Sequence, residues 1–238
     1  MKTLIAVLLL CLTSTAQTLA VVDDSPSDSP IRIGGTVTFD SAGNPSCAIT
    51  GHNFAPKIVV AWRQDIEASF PNGGYTLYKS RHDHFFIDEV KLEAKSPQAN
   101  SDFDPSNIDC SMFSTQNWTS TKPPGISVRN FWVQFIDGST WGDPAHPDEQ
   151  GYMIAQRTNA VAFLNKLKTA YSSGGPARFN EALDGFDAIV PRNQLATQEL
   201  NEAHTTQLQL KMLPDLAAQL AEVNRMLSVA AARSNWMK

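Results

Sequence analysis

The segment IVVAWRQDIEASFPNGGYTLYKS, residues 58–80, contains two runs of strand-forming residues around a turn sequence. In its first half, apolar residues such as Trp62 and Ile66 alternate with charged residues such as Arg63 and Asp65. This period of two predicts a β-strand with one buried face. The Asn-Gly-Gly that follows favours a tight turn, and aromatic and β-branched residues resume after it. We therefore predict a β-hairpin over residues 58–80.

Other segments on both sides of this hairpin also have strand character. They alternate polar and apolar residues between turn signals, and they span residues 31–39, 47–53, 87–94 and 126–136. Several short strands separated by turns are typical of an immunoglobulin-like sandwich. We predict an α+β protein whose N-terminal part, residues 31–143, is an immunoglobulin-like antiparallel β-sandwich.

The stretch FIDGSTWGDPAHPDEQG, residues 135–151, joins the predicted strands to a predicted helix. Asp137 precedes a glycine, a pair typical of turns, so we interpret Asp137 as a turn residue rather than a catalytic carboxylate. Pro147 and the two acids after it are typical of the first turn of a helix. We therefore place a boundary at residues 143–147 and predict a helical region over residues 146–236.

The helical region has two features that define its packing. The glycines at 174 and 175 are expected to stop its first helix. Towards the C-terminus, apolar residues recur in steps of three and four, forming a seam of Leu213, Leu216, Leu220, Val223, Leu227 and Ala230. Such a seam buries one side of a helix. We expect it to pack within the protein, with a protein partner or a second copy of the chain as the alternative.

The first residues, MKTLIAVLLLCLTSTAQTLA (1–20), contain an early lysine, an apolar run and then small residues. This pattern is typical of a secretory signal peptide that is cleaved after Ala16 or Ala20. The apolar run is shorter than the roughly 20 residues that a membrane span needs. Residues 21–30 are rich in acids, serine and proline, which predicts a disordered lead-in. We expect a secreted or periplasmic protein without a membrane span.

The charge of the chain indicates which partners it can bind, and its cysteines bear on the redox compartment in which it folds. The net charge is −5 at pH 7, and without clustered basic residues we expect no nucleic-acid partner. Cys47 and Cys110 are the cysteines that follow the signal, and an oxidising compartment favours a disulfide between them.

The sequence RHDHFF, residues 81–86, is the most suggestive cluster of potential ligands. On a strand, His82 and His84 project from the same face and could be two ligands of a three-ligand metal site. No spacing in the sequence selects a third ligand. The alternative interpretation is a polar strand end after the hairpin.

Two further observations concern the class of function. The aromatic side chains of five tryptophans could form a platform that stacks on sugars: Trp62, Trp118, Trp132, Trp141 and Trp236. The local signatures of serine hydrolases, zinc proteases and nucleotide-binding enzymes do not occur in the sequence. We therefore expect no cofactor.

The order of GHNFAPK, a long strand with its hairpin, HDHFF, and VQFIDGSTWG followed by a helix resembles uncharacterised exported proteins of soil bacteria such as acidobacteria. The resemblance covers about residues 47–185. It implies a β-sandwich that ends in the DGSTWG hairpin, and it implies no activity. We expect an exported, non-enzymatic binding or scaffolding protein. The alternatives are a metal-dependent enzyme that uses His82 and His84, or a carbohydrate-binding module.

Overall fold

One curled sheet and three α-helices make up the described part of the chain. The structure is a computed structural model of the 238-residue protein. It describes residues 17–69, 75–88, 91–92, 95–105, 110–113, 125–186 and 199–238. The α+β class predicted from the sequence is confirmed.

The described part of the sheet has eight strands: β1 (Gln17–Asp23), β2 (Ile31–Phe39), β3 (Pro45–Asn53), β4 (Val59–Ser69), β5 (Tyr75–Asp83), β6 (Ser101–Phe103), β7 (Gly125–Phe135) and β8 (Thr140–Gly142). Their order is β5-β4-β7-β1-β2-β3-β6, and β8 pairs with β7. All of these pairs are antiparallel except β1 with β7. The predicted hairpin is the β4–β5 pair, and its turn lies outside the described residues.

The two-sheet immunoglobulin-like sandwich is not confirmed, because all the described strands join a single sheet. The sheet curls into a half-barrel. The rings of Trp62 on β4 and Phe103 on β6 lie 5.5 Å apart, although these strands are near opposite ends of the strand order. The concave face holds an apolar core formed mainly by Val21, Ile31, Ile33, Val37, Phe39, Val59, Trp62, Ile66, Phe113, Ile126, Val128, Val133 and Phe135.

Strand β1 occupies a position that the sequence interpretation missed. The segment Val21–Asp23 pairs in parallel with β7, while the other edge of β1 pairs with β2. The Asp23 carboxylate accepts hydrogen bonds from the backbone N–H groups of Ser25 and Ile33. Residues 21–30 are therefore part of the sheet and its following turn, unlike the expected disordered lead-in. Backbone pairing on both edges, rather than apolar mass, holds this segment.

The strand predicted at residues 87–94 is wrong where the structure describes it. The backbone N–H of Leu92 donates to the carbonyl of Asp88 at 2.8 Å, and that of Ser96 donates to Leu92 at 2.9 Å. Bonds four residues back are helical. This turn places Leu92 in the core that the helices form. The mixed polar and apolar residues of the segment were mistaken for the period-two pattern of a strand.

The helices are α1 (Glu149–Asp184), α2 (Asn201–Lys211) and α3 (Leu216–Ala232), and a short 3-10 turn, Ser234–Met237, follows. Helix α1 begins where the proline and acids predicted a start. It is interrupted by non-helical backbone at Gly174 and Gly175, which confirms the predicted stop. Among the described residues, no helix has the length and apolar content needed to cross a membrane.

The seam on α3 packs inside the protein. Val223 and Ala230 are buried, and Leu216, Leu220 and Leu227 pack against the same core while partly exposed. This core also contains Phe163, Leu164, Leu167 and Phe179 of α1, together with Phe85, Phe86 and Trp236. The structure therefore agrees with the expectation that this face of the helix packs within the protein.

The helices cover one end of the convex face of the sheet. Residues 59–64 of β4 and 131–135 of β7 are buried on both faces, and these two segments are neighbours in the antiparallel register. Farther along the same strands, at residues 65–68 and 125–130, burial alternates as the sequence predicted. The boundary at 143–147 is therefore a junction in the chain, but the units on either side share a buried interface.

The disulfide prediction is met in the structure. The sulfurs of Cys47 and Cys110 lie at bonding distance, with their Cα atoms 5.8 Å apart. Cys47 belongs to β3, and Cys110 begins a 3-10 turn, Cys110–Phe113, whose Phe113 side chain is fully buried in the concave core. The bond therefore fastens a core-forming turn to the sheet.

Replacing both cysteines with serine is expected to lower the free energy of unfolding by about 2–4 kcal/mol, because the unfolded chain gains the freedom of a long loop. Urea titration of the double variant beside the oxidised protein measures this difference. Thiol counting under denaturing, non-reducing conditions should find no free Cys47 or Cys110 thiol in the unaltered protein. Two free thiols in protein purified from an oxidising compartment would contradict the pairing.

Candidate functional site

Within the described ranges, three ion pairs join the convex face of the sheet to the helices. Arg63 of β4 lies directly opposite Arg81 of β5, and two like charges in such a pair are unfavourable. Each arginine receives an acid from a helix: Arg63 contacts Glu149 at 2.7 Å, and Arg81 contacts Glu202. Acidic side chains of the helical region thus compensate the positive charges of the two arginines on this face of the sheet.

The third ion pair lies deeper. The Nε and Nη2 of Arg157 on α1 donate to the two oxygens of the Asp83 carboxylate, at 2.9 and 2.8 Å. The side chains are 0% and 3% exposed. Arg157 also donates to Gln134 Oε1 at 2.6 Å and to the Trp236 carbonyl at 2.9 Å, so it links β5, β7, α1 and the C-terminal turn.

A cleft opens where this interface reaches the uncovered half of the sheet. We call it the sheet–helix cleft. Its volume is about 350 Å³, which suits a small ligand. It is lined by Arg63, Lys79, Ser80 and Arg81 from the sheet, Tyr152 and Gln156 from α1, and Asn201, His204 and Thr205 from α2. Three separate elements therefore contribute polar side chains to one concave surface.

The cleft contains hydrogen-bond donors that the described residues do not use. Arg63 is 6% exposed, and its Nε–H has no acceptor in the described part of the chain. The buried Nη1 of Arg81 likewise lacks an acceptor there. A buried donor without a partner costs about 1–3 kcal/mol, and because neither nitrogen is accessible to solvent, an external acceptor reaches them only when the neighbouring side chains move. The first turn of α2, which has no side-chain cap, adds partial positive charge.

The acid beside Arg81 has an unusual environment. Burial raises the pKa of Glu202 above its ordinary value, the charge of Arg81 opposes this shift, and Asp83 adds to it. The ionised form of Glu202 is thus held mainly by Arg81. Arg81 lines the cleft, and its pair with Glu202 joins β5 to α2 beside the opening.

The structure places His82 and His84 close together but does not gather them into a three-ligand site. Their ring centroids are 6.4 Å apart, and both rings lie against Trp62. His84 is buried, its Nδ1 is 2.8 Å from Ser96 Oγ, and burial lowers its pKa. Over the described ranges, no three histidine, cysteine or acidic side chains are grouped so that they could hold a metal ion.

Two other histidines lie elsewhere in the fold. His52 contacts Asp102 at 2.6 Å near the β3–β6 edge, and His146 stacks on Phe131 with ring centroids 4.9 Å apart. Neither lies at the sheet–helix cleft, where His204 is the lining histidine.

The described tryptophans do not form an exposed platform. Trp62 lies in the concave core, Trp132 lies beneath α1 beside Met153, and Trp236 lies in the helical core. All three are nearly inaccessible to solvent. Trp141 is partly buried, and its Nε1–H donates to Asp28 at 3.2 Å. Trp118 lies outside the described residues. The observation that suggested a carbohydrate-binding module is therefore weakened.

Asp137 is a turn residue, as predicted. Its Oδ1 accepts hydrogen bonds from the backbone and the hydroxyl of Ser139, and Gly138 has a φ of +87°. The contact with Lys57, followed by those with Ser139, lowers the pKa of Asp137 to about 2. Any stability that this shift supplies is present above the ordinary pKa of the carboxyl and is lost as pH falls towards 2.

The chain was compared with known proteins at the level of family, sequence and structure. No protein-family model, curated protein or solved structure matches it. A function must therefore be inferred from the geometry of the chain itself, and the sheet–helix cleft is the feature that carries most information.

Sequence reasoning missed this cleft, although part of the signal was present. Arg63 and Arg81 lie on the charged face that the alternation in the hairpin indicated. Lys79 precedes Arg81 by two residues on the same strand. The alternation identified this face only as polar. The α2 residues that complete the cleft are distant in sequence, and no local pattern connects them to the hairpin.

Proposed function

We propose that the protein is an exported, non-enzymatic binding protein whose ligand occupies the sheet–helix cleft. The observation that carries this proposal is the cleft itself, where two largely buried arginines keep donors without acceptors among the described residues. Small-molecule sites are typically concave and present a few convergent polar groups. Arg63, Arg81, Tyr152 and Asn201 provide such groups here.

The walls of the cleft support a binding role because they are preorganised. The Arg63–Glu149 and Arg81–Glu202 pairs tie the sheet to α1 and α2 on either side of the opening. A rigid site loses less conformational entropy when a ligand enters. The metal-dependent alternative has less support, because Ser96 engages the Nδ1 of His84 and no third ligand stands beside the histidine pair within the described ranges.

Filling the cleft tests this function. Thr205 is an exposed residue of α2 that lines the cleft, and tryptophan at this position should occupy part of the space. Compounds that raise the thermal midpoint of the unaltered protein in a panel of small metabolites should fail to raise that of Thr205→Trp. Leu208→Trp is the matched control, because Leu208 is exposed on the same helix outside the lining.

The control variant should respond to the same compounds as the unaltered protein. If the compounds stabilise Thr205→Trp as strongly as they stabilise Leu208→Trp, the ligand binds elsewhere. If no compound stabilises the unaltered protein, the cleft has no role in binding such molecules.

Export is supported by the N-terminal sequence pattern and is compatible with the Cys47–Cys110 pair. The pairing of β1 with β2 favours the earlier of the two proposed cleavage positions. Cleavage after Ala20 would remove Gln17–Ala20, which pair with Thr36–Phe39, whereas cleavage after Ala16 keeps these pairs. Protein recovered from the periplasm or medium of an exporting bacterium should have an intact mass that starts at Gln17. A mass that starts at Val21 would contradict this choice, and retention of the uncleaved chain in the cytoplasm would contradict export.

A further inference from the structure

The charge of the sheet–helix cleft indicates which ligands it can accept. Arg63, Lys79 and Arg81 line it, and the described lining contains no acidic side chain. Glu149 and Glu202, which lie beside this lining, each contact one of the arginines. Lys79 is exposed and lies opposite Asp65 in the β4–β5 register. A cationic ligand would meet like charge in this lining.

The hydrogen-bonding groups of the cleft are mainly donors. The guanidinium and ammonium groups can only donate, and the amide and hydroxyl side chains of Asn201 and Thr205 can also donate. The Nε of Arg63 and the Nη1 of Arg81 have no acceptor among the described residues but are inaccessible to solvent, so what these residues offer the cleft is chiefly their positive charge. Charged oxygens form the strongest hydrogen bonds with guanidinium and ammonium groups. The first turn of α2 has no side-chain cap but contains Glu202, so its partial positive charge adds only a small attraction for an anion.

We infer that the ligand is a small oxyanion-bearing molecule, held through carboxylate or phosphate oxygens by Arg63, Lys79 and Arg81. This inference rests on the proposed binding function of the cleft. Carboxylates and phosphates share the feature that matters here, which is several charged acceptor oxygens on one centre. The volume of about 350 Å³ is suited to a compact molecule of this kind rather than to a polymer.

The acids that already bind the arginines reduce the attraction but do not abolish it. Glu149 contacts Arg63 Nη1 and Glu202 contacts Arg81 Nη2, while the Nε and Nη1 of the same groups have no acceptor among the described residues and are inaccessible to solvent. The Glu202 side chain is largely buried, and this burial raises its pKa. Lys79 is the cation of this lining that is exposed to solvent, and it is the position at which charge can be removed without breaking a buried pair.

Isothermal titration calorimetry with inorganic phosphate and with citrate, each at constant ionic strength set by chloride, tests the inference. Glucose serves as an uncharged control. We expect saturable binding of at least one anion, no binding of glucose, and an affinity about tenfold weaker in Lys79→Gln, because one charge-assisted contact is removed. Lys57→Gln is the matched control, because Lys57 is an exposed lysine that contacts the Asp137 turn outside the cleft. Both variants should keep the thermal midpoint of the unaltered protein within a few degrees in the absence of anion.

The two anions distinguish the chemical class of the ligand. Binding of phosphate but not of citrate indicates a phosphate ligand, and binding of citrate but not of phosphate indicates a carboxylate ligand. Equal weakening by Lys79→Gln and Lys57→Gln would overturn the inference, because the attraction would then be a general effect of net charge. Absence of binding by both anions at millimolar concentration would also overturn it. If Thr205→Trp then abolishes stabilisation by an uncharged compound, the proposed binding function stands while the oxyanion inference fails.

Discussion

A chain that ends at Asp143 is expected to show no cooperative unfolding transition. The helices bury Val60, Phe85, Phe131 and Trp132, which would otherwise be exposed on the convex face and at the end of β5. Burial of one large apolar side chain contributes about 1.5–3 kcal/mol, so these four contribute roughly 6–12 kcal/mol. The total stability of a domain is only about 5–15 kcal/mol. Circular dichroism during urea titration of residues 17–143 and of residues 17–238 makes the comparison.

A nicked protein controls for cutting the chain itself. A protease site inserted between Ala145 and His146 allows cleavage in the exposed junction while both parts remain present. The nicked protein should keep a cooperative transition, because the interface of Arg63, Arg157 and Trp132 does not depend on chain continuity. A single cooperative transition of the isolated 17–143 fragment would show instead that the sheet is an independent domain.

Replacing Arg157 with methionine is expected to lower the free energy of unfolding by about 3–5 kcal/mol, the usual cost of removing one partner from a buried ion pair. The change leaves the Asp83 carboxylate buried without its cation. It also removes the donor that serves Gln134 Oε1 and one donor to the Trp236 carbonyl. Urea titration followed by tryptophan fluorescence measures the loss.

Arg178→Met is the matched control for this variant. Arg178 and Glu181 form an ion pair on the same helix with side chains 64% and 67% exposed, and such exposed pairs contribute less than about 1 kcal/mol. Adding Asp83→Asn to Arg157→Met should recover part of the lost stability, because asparagine keeps an acceptor for the Phe85 backbone N–H without the buried charge. A loss in Arg157→Met no larger than that in Arg178→Met would mean that the buried pair does not hold the helices on the sheet.

Local patterns predicted the elements whose signals lie within a short stretch of the sequence. The β4–β5 hairpin, the long strand β7, the start of α1 and its interruption at Gly174 and Gly175 all followed from alternation, turn residues and helix signals. Those features depend on a few neighbouring residues, so the information lies within a short window. The Cys47–Cys110 pair could be predicted for a different reason, since few cysteines were available for pairing.

The spatial arrangement of these elements could not be predicted from local patterns. Alternation does not distinguish two stacked sheets from one curled sheet, because both have a face that is buried. Strand β1 was missed because its acidic and proline-containing surroundings lowered its apolar content, while its stability comes from pairing with β2 and β7. Arg63 is 6% exposed although it lies on the charged face, because Glu149 arrives from a helix about which the hairpin contains no information.

The central position of β1 has a consequence for how quickly the native sheet can form. Strands β1, β2 and β3 follow one another along the chain and pair as a meander, so they can associate soon after synthesis. Pairing of β1 with β7 must instead await residues far downstream: Ser25, just after β1, bonds Asn130 across a sequence separation of 105 residues. Folding rates fall as such long-range contacts increase. We therefore expect parallel docking of β1 on β7 to be the slow step, with the meander and the β4–β5 hairpin already formed when the two halves of the sheet meet.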